Sequence, residues 1–478
     1  MKLFLFGIGH LRPEQIDVAR QLKKHHDIAY WVRMHDVFPI DEKEFSDTIF
    51  HPYRDAIAGN PAAGVDVSGF DPPSLELLKA LAPYESEYMT MVNKWYPAWN
   101  VDKRKDFYYD LIRYWSGVLD MYEPDALIFL EIPHEMFNFV AFALAKYRGI
   151  RTIMFENTIL YDRLLRYEDY REGSPELMEA AKAGFPNKFT VEDLSPEIRE
   201  EYLRTLKKDE PPTLTNAHYD WYRGPRFWYR QFKSLGRFVK DGTIWERGVA
   251  RVVKIVKEKP RGEYARLTKP ADMDLLYVYL GFHSQPERTT SPQADVYVDQ
   301  ILMAKTIAAA LPEGWLLYVK EHPMQWVISR GDYSAYRYRG YYEEIAKIPN
   351  VRLVPIETNT FHLMRHARAV ATATGTLGWE ALLRGLPVLM FGYAWYRYAA
   401  GVSHIKSTDD CRKTLLRIKD GFHADPQAVL NFVGALDRAC IHSSLDPFVK
   451  PGLPVDTPEG VNNLYKAITE ALGSERGV

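Results

Sequence analysis

From Asp274 onward the chain repeats one unit: a short apolar run, a polar turn, then an amphipathic stretch with helical spacing. The runs "DLLYVYL", "WLLYVK", "VRLVP", "RAVATA" and "PVLMFG" read as buried strands. Helices are expected near 296–310, 341–348, 359–365 and 377–384. Strands separated by helices cannot pair as hairpins, so the pattern imposes a parallel sheet with helices on both faces. The first 155 residues repeat it with "KLFLF", "DIAYWVR", "DALIFLE" and "RTIMFE", and with helices near 13–24, 105–121 and 135–147. The expected fold class is α/β, with two Rossmann-like doubly wound parallel-sheet domains facing a cleft. The segment 161–270, polar and rich in Trp and Tyr, breaks the alternation and reads as a helical basic and aromatic insertion or linker. The expected division is 1–160, 161–270, 271–440 and 441–478, the last a tail and helix packing back on the N-terminal domain.

A chain of 478 residues is too long for one ordinary core, and 46% hydrophobic with 26% charged residues excludes a disordered or fibrous protein. Cys411 and Cys440 have no metal-ligand spacing, no disulfide is expected, and their scarcity suits a reducing compartment. "MKLFLFGIGHLRPEQ" has too short an apolar run and no small-residue cleavage site for a signal peptide, so it reads as a first strand. No run is long enough to span a membrane. The expected location is cytoplasmic, with peripheral contact to the inner face of the cell membrane. The net charge of −2 conceals an asymmetry. Residues 221–261 hold twelve Lys or Arg against three Asp or Glu, a local +9, leaving −2 − 9 = −11 for the rest. Such a stretch suits an anionic membrane surface or a phosphorylated partner. The alternative is an interdomain helical segment whose basic side chains cover apolar surface. Nucleic acid is not among the expected partners.

Ligands of open α/β sheets bind outside the carboxyl ends of the strands, so the loops after the strands carry the chemistry. In "GFHSQPERTTSP", residues 281–292, Gln285 and Glu287 flank Pro286, which restricts the loop and holds both side chains toward the cleft. "WLLYVK" ends at Lys320, placing Glu321, His322 and Pro323 on the next loop. In "TATGTLGWEALLRGLPVLMFG", residues 372–392, the backbone N–H groups and positive helix end at Thr374, Gly375 and Thr376 form a phosphate site. Glu380, about one turn further in, is placed to accept hydrogen bonds from ribose hydroxyls. The plainer alternatives are that Thr376 caps the helix, Gly375 permits the turn, Glu380 pairs with the helix dipole in the first turn, and His322 bonds to backbone.

At "QPE" (285–287), "KEHP" (320–323) and "TGTLGWEALLRGLPVLMFG" (374–392), leading into "AWY" (394–396), the sequence resembles the capsular polysaccharide synthesis glycosyltransferases. That family includes enzymes adding Kdo to lipid-linked acceptors. The resemblance implies a GT-B architecture, a nucleotide-sugar donor on the C-terminal domain, favouring a CMP-sugar, and an acceptor site on the N-terminal one. The acceptor would be a surface-polysaccharide or lipid-linked glycan. No cofactor and no metal are implied, and no DxD-like pair sits on a cleft loop. The family often has proline where Glu321 stands here, so Glu321 is expected to repel a carboxylate-bearing donor or to face solvent.

Breaking a glycosyl–phosphate bond develops negative charge on the nucleotide, which must be stabilised. Cationic Lys320, His322 as donor or proton source, and the helix end at Thr374–Thr376 can replace a metal ion. The acceptor hydroxyl needs a base. "FLEIPHEMFN", residues 129–138, offers Glu131, His134 and Glu135, with Glu131 ranked first. "GIGHLR", residues 7–12, offers His10 and Arg12. Glu135 reads equally as a favourable charge at a helix start. A covalent route needs a carboxylate nucleophile, for which Glu287 is the candidate. The rival readings are a teichoic-acid-type CDP-polyol phosphotransferase, a nucleotide-sugar 2-epimerase, and a non-catalytic capsule assembly protein. A nicotinamide oxidoreductase is set aside because Arg12 fills the position of the fingerprint's third small residue, and no P-loop is present.

Overall fold

A computed structural model describes residues 1–9, 13–34, 40–158, 162–185, 188–207, 260–325, 336–445 and 458–473. His10, Arg12 and almost all of the basic segment 221–261 lie outside the described residues. Packing divides the chain into two units, the first made of 1–201, 291–293 and 430–478, the second of 202–290 and 294–429.

In the first unit the strands are β1 (Lys2–Phe6), β2 (Asp27–Arg33), β3 (Ile49–Pro52), β4 (Ala126–Phe129), β5 (Arg151–Asn157) and β6 (Arg163–Tyr167). In the second they are β7 (Tyr277–Gly281), β8 (Leu316–Lys320), β9 (Val351–Leu353), β10 (Ala369–Thr372), β11 (Val388–Met390) and β12 (Val402–His404); β13 (Ile441–His442) returns to the first. The sheet orders are β13-β6-β5-β4-β1-β2-β3 and β12-β11-β10-β7-β8-β9. The second sheet is parallel throughout, and the first is parallel from β3 to β5. Both run 3-2-1-4-5 from one edge, so each is a Rossmann-like sheet whose winding reverses between its first and fourth strands. The α/β class with two such sheets is as the sequence led us to expect.

Two boundaries are corrected. β6 pairs antiparallel with β5, which puts residues just past 160 in the first sheet and not in an insertion. The first unit also resumes at Leu430, within the helix Pro426–Ala439 and not after it. β13 pairs with β6, and the helix Pro458–Gly473 contributes Leu464, Ile468 and Leu472 to the same apolar cluster as Leu3, Leu5 and Ile16. Ser291–Gln293 also belong to this unit, where Gln293 Nε2 donates to Glu156 Oε1 at 2.7 Å and the Ser291 and Thr90 hydroxyls lie 2.6 Å apart.

Period-two alternation explains why both faces are covered. On β1, Leu3 and Leu5 enter that cluster, while Phe4 lies 5.1 Å from the Tyr30 ring and Phe6 stacks at 4.6 Å on Phe129. Two of the elements that escaped the sequence reading show why it failed. The helix Leu75–Trp95 holds Pro83 in its interior, which removes one ladder bond and disguises the helix; β3 ends in Pro52 at a sheet edge, where a missing N–H is tolerated. Among the described residues, no helix is long and apolar enough to cross a membrane.

A buried hydrogen-bond chain fixes the carboxyl end of β3. The Asn60 carbonyl can only accept, so His51 Nε2 carries the proton toward it at 2.9 Å and His51 Nδ1 accepts from the Tyr30 hydroxyl at 2.7 Å. Tyr30 in turn accepts from Tyr114 at 2.7 Å, whose oxygen accepts from the Ala62 N–H at 3.0 Å. Burial pushes the His51 imidazole down to about 4, consistent with a neutral ring. Tyr114→Phe deletes the central link and strands a buried N–H; chemical unfolding should show a loss of about 1–3 kcal/mol, while Tyr109→Phe, on the same helix, should stay within about 0.5 kcal/mol.

Candidate functional site

The winding of the second sheet reverses between β7 and β10, so the loops after these strands flank the place where an open α/β sheet takes its ligand. The loop after β7 lies between the other two and is bonded to both. Toward β10, the Ala373 and Thr374 N–H groups donate to His283 Nε2 at 3.1 and 3.4 Å, and the Thr374 hydroxyl donates to the Thr289 carbonyl at 2.6 Å. Toward β8, the Gln285 N–H donates to Gln325 Oε1 at 2.8 Å and Gln325 Nε2 returns a bond to the Gln285 carbonyl at 3.1 Å. The turns near 285, 320 and 375 therefore meet within one unit.

His283 sets the local chemistry. Because Nε2 accepts from backbone, the ring is neutral with its proton on Nδ1, and burial pushes its pKa down to about 3. Gly375 has an ordinary φ of −69°, so the turn does not need glycine for its dihedrals. A Cβ there would sit 2.9 Å from His283 Cε1 and 3.0 Å from Thr372 Oγ1, so glycine is required for close approach. Gly378 plays the same part against Tyr396, whose hydroxyl donates to the Gly375 carbonyl. Gly375, not Thr376, is the N-cap of the helix Thr376–Leu382; Thr376 is exposed at its first position, and Glu380 lies in the second turn, half-buried, not in the first.

Lys320, Glu321 and His322 do not act as a group. Consecutive residues at a strand end point to opposite faces. Lys320 turns to the face bearing Tyr277, Tyr279 and Tyr318, where its buried ammonium donates to the Thr358 carbonyl at 2.6 Å and Thr360 Oγ1 at 2.8 Å. Burial lowers its pKa to about 8, opposed by the nearby Glu357 charge. Its expected place beside His322 on the phosphate loops is corrected accordingly. Glu321 neither faces solvent nor meets a ligand: its side chain is wholly buried and forked by Arg337, Nε to Oε2 at 2.6 Å and Nη2 to Oε1 at 3.1 Å. The Tyr342 hydroxyl and the His322 N–H, at 2.5 and 2.7 Å, fill its remaining acceptor positions. Gln285 is likewise withdrawn from the ligand side, its amide spent on Val298, Gln300 and Arg337.

His322 is half-buried, and its Nδ1 accepts from the Met324 N–H at 3.2 Å, leaving the proton on Nε2. Burial brings its pKa down to about 4, with the Glu321 charge opposing and the Lys320 and Arg337 charges assisting. Near neutral pH it is thus a hydrogen-bond donor and not a proton source. Glu287 is half-buried, with Thr289 Oγ1 3.4 Å from Oε2.

In the first unit, Glu131, His134 and Glu135 follow β4, again where the winding reverses. Glu135 caps the helix Met136–Arg148, and its buried carboxylate binds Lys94 and, at 2.6 Å, Trp95 Nε1. Burial pushes its pKa up, but Lys94 and His134 overcome this and hold it below the ordinary value, so Glu135 is a structural anion and not a base. His134 Nδ1 donates to the Ile132 carbonyl at 2.9 Å and lies 3.9 Å from Glu131 Oε2. Glu131 is half-buried. Among the described residues, no three His, Cys, Asp or Glu gather as metal ligands.

The sequence reading missed His283, Gln300, Gln325, Arg337 and Tyr342. His283 stood in the loop 281–292; Arg337, one of two arginines in "YRYRGYYEE", carries no local signal.

Residues 290–433 match the model of the family described as capsule polysaccharide biosynthesis protein. The match takes in Lys320–Pro323, Arg337 and Thr374–Glu380 but begins after Gln285 and Glu287. The Thermosulfurimonas dismutans KpsC beta Kdo 2,7 transferase structure is 10% identical, covering 72% of this chain and 86% of its own, with a TM-score of 0.32. The beta Kdo 2,4 transferase of the same KpsC is 14% identical over 65% and 79%, with a TM-score of 0.30. The UDP-GlcNAc 2-epimerase of Neisseria meningitidis bound to UDP-GlcNAc is 13% identical over 99% of both chains, with a TM-score of 0.25. These scores are low, and the fold rests on the strand orders themselves. No curated protein matches the chain.

The neutral histidines give a pH signature. His283 titrates near 6.5 when unfolded but near 3 when folded, so its contribution is complete above pH 6.5 and is lost as pH falls below it. His51 and His322 add the same sign. Melting temperature should fall between pH 6.5 and 4. His283→Gln, which keeps an acceptor and cannot be protonated, should flatten that fall by about 1.4 kcal/mol per pH unit, read from denaturant unfolding at several pH values.

Proposed function

We propose that the protein is a GT-B-type glycosyltransferase that moves a sugar from a nucleotide-sugar donor to a surface-polysaccharide or lipid-linked glycan acceptor without a metal ion. The observation that carries this reading is the meeting of the 285, 320 and 375 turns at the reversal between β7 and β10, inside a unit most of which matches the capsule polysaccharide family. The second unit takes the donor. Its phosphates lie at the start of the helix Thr376–Leu382, beside Thr376 with Glu380 toward the ribose; the N–H groups of Thr374 and Gly375 and the Thr374 hydroxyl, expected to hold them, donate instead to His283, Thr372 and the Thr289 carbonyl and shape the turn. His322 Nε2–H donates to the leaving phosphate, and the buried Lys320 charge acts on it through space without contact. A neutral donor in a desolvated setting strengthens as charge develops on the oxygen it faces, and needs no proton transfer to do so. Glu131 serves as base toward the acceptor hydroxyl, beside His134, and Glu287 is the carboxylate available for a covalent step. A Kdo-like ulosonic acid carried on CMP is the donor of choice, a reading that rests on the resemblance of the 285–287, 320–323 and 374–392 motifs to the capsular polysaccharide glycosyltransferases.

Glu287→Ala and His322→Ala should each abolish transfer, with circular dichroism and melting unchanged. Of CMP, CDP, UDP and GDP, CMP should raise the melting temperature most, by the equivalent of about 2.7 kcal/mol at a hundredfold excess over Kd. Chelator should leave the rate unchanged. Turnover without acceptor, as a 2-epimerase would give, transfer of a polyol phosphate from a CDP-polyol, or full activity in both variants would overturn the reading.

A further inference from the structure

Arg337 is fully buried and touches no solvent, yet its guanidinium binds to both strand-end loops of the site. Nε and Nη2 fork Glu321, Nη1 donates to Gln285 Oε1 at 2.7 Å and to its neighbour's carbonyl at Tyr336 at 3.0 Å, and Nη2 reaches the His283 carbonyl at 3.2 Å. The plane lies 4.7 Å from the Tyr341 ring centroid and 5.5 Å from that of Phe282. Glu321, the counter-ion, passes the constraint to His322 by accepting its N–H.

We propose that Arg337 is a positioning residue: it pins the loop of His283 and Gln285 to that of Glu321 and His322, setting where His322 Nε2 stands relative to the turn at Gly375. This rests on the glycosyltransferase reading for its rate consequence, though not for its geometry. The physical ground is that a fully buried ion pair is a poor way to gain stability. Apolar residues of similar volume usually do as well or better, because neither charge must leave water. What an apolar pair cannot reproduce is direction. A planar fork with five donors fixes several acceptors at once. Here all of its hydrogen bonds but the one to Tyr336 end on the two loops, and none is left for a ligand.

The decisive variant is Arg337→Met with Glu321→Leu, which removes both charges together and places methionine between the Tyr341 and Phe282 rings. Its melting temperature should stay near that of wild type, the relief of desolvating two charges offsetting the bonds lost by the His322 N–H and the Tyr342 hydroxyl. Its kcat should fall by about 10²-fold, as expected when a reacting group is displaced by about 1 Å, with KM for the donor little changed, the pattern of an interaction realised in the transition state. Arg337→Lys, which keeps the charge without the fork, should recover only part of the rate. Amide hydrogen exchange should quicken in 283–287 and 320–325 and stay unchanged in β1 to β5. A double variant, or Arg337→Lys, that retains wild-type kcat and exchange would overturn the proposal. Exchange unchanged in both loops would overturn it even for an enzyme of another class. A wild type that binds none of the four nucleotides and transfers nothing would overturn the glycosyltransferase reading alone, leaving the exchange measurement to decide on Arg337.

Discussion

Parallel pairing is the constraint on which the rest depends. Two parallel strands cannot be joined by a tight turn, so each connection crosses the sheet and every strand begins its outgoing loop at the same edge. The loops after β7, β8 and β10, far apart in sequence, are neighbours for that reason alone. Where the winding reverses, the crossovers leave in opposite directions and no helix covers the gap. The residues that meet at this gap in the second unit are polar because nothing in the fold requires them to be apolar.

Within that arrangement, desolvation decides the chemistry. Three imidazoles, the buried His51 and His283 and the half-buried His322, are held neutral because a charge removed from water costs more than their hydrogen bonds return. Each has one nitrogen that accepts and one that donates, and the surrounding groups determine which. Arg337 and Glu321 stay charged under the same burial only because each neutralises the other and every remaining donor or acceptor position is filled. Lys320 stands between these cases, its ammonium weakened by burial and held by two oxygens.

The strands, their direction and the three loops were legible in the sequence because burial on two faces leaves continuous apolar runs, and the polar turns interrupt them. What could not be read was orientation. "VKEHP" looked like one cluster, but alternation sends Lys320 to one face and Glu321 to the other, and the sequence does not say which face carries a partner. Gln285 looked ligand-facing because the three partners of its side chain, Val298, Gln300 and Arg337, are remote or lie past another element. Gly375 looked like a turn residue because the histidine ring that excludes a side chain there is ninety-odd positions away. β6 was assigned to an insertion because its two arginines, Arg163 and Arg166, are buried by ion pairs with Asp162, Glu197, Glu168 and Glu176 that no strand pattern reveals.

The first unit is built from segments on both sides of the second in sequence. β13 and the helix Pro458–Gly473, which covers Leu3 and Leu5, are made after the whole second unit. During synthesis the first sheet waits with one apolar face only partly covered, by Ile16, Val18, Ala19 and Leu22, until Pro458–Gly473 has left the ribosome. A stop codon between Val429 and Pro458 therefore damages the first sheet, encoded at the other end of the sequence, while leaving the second sheet whole.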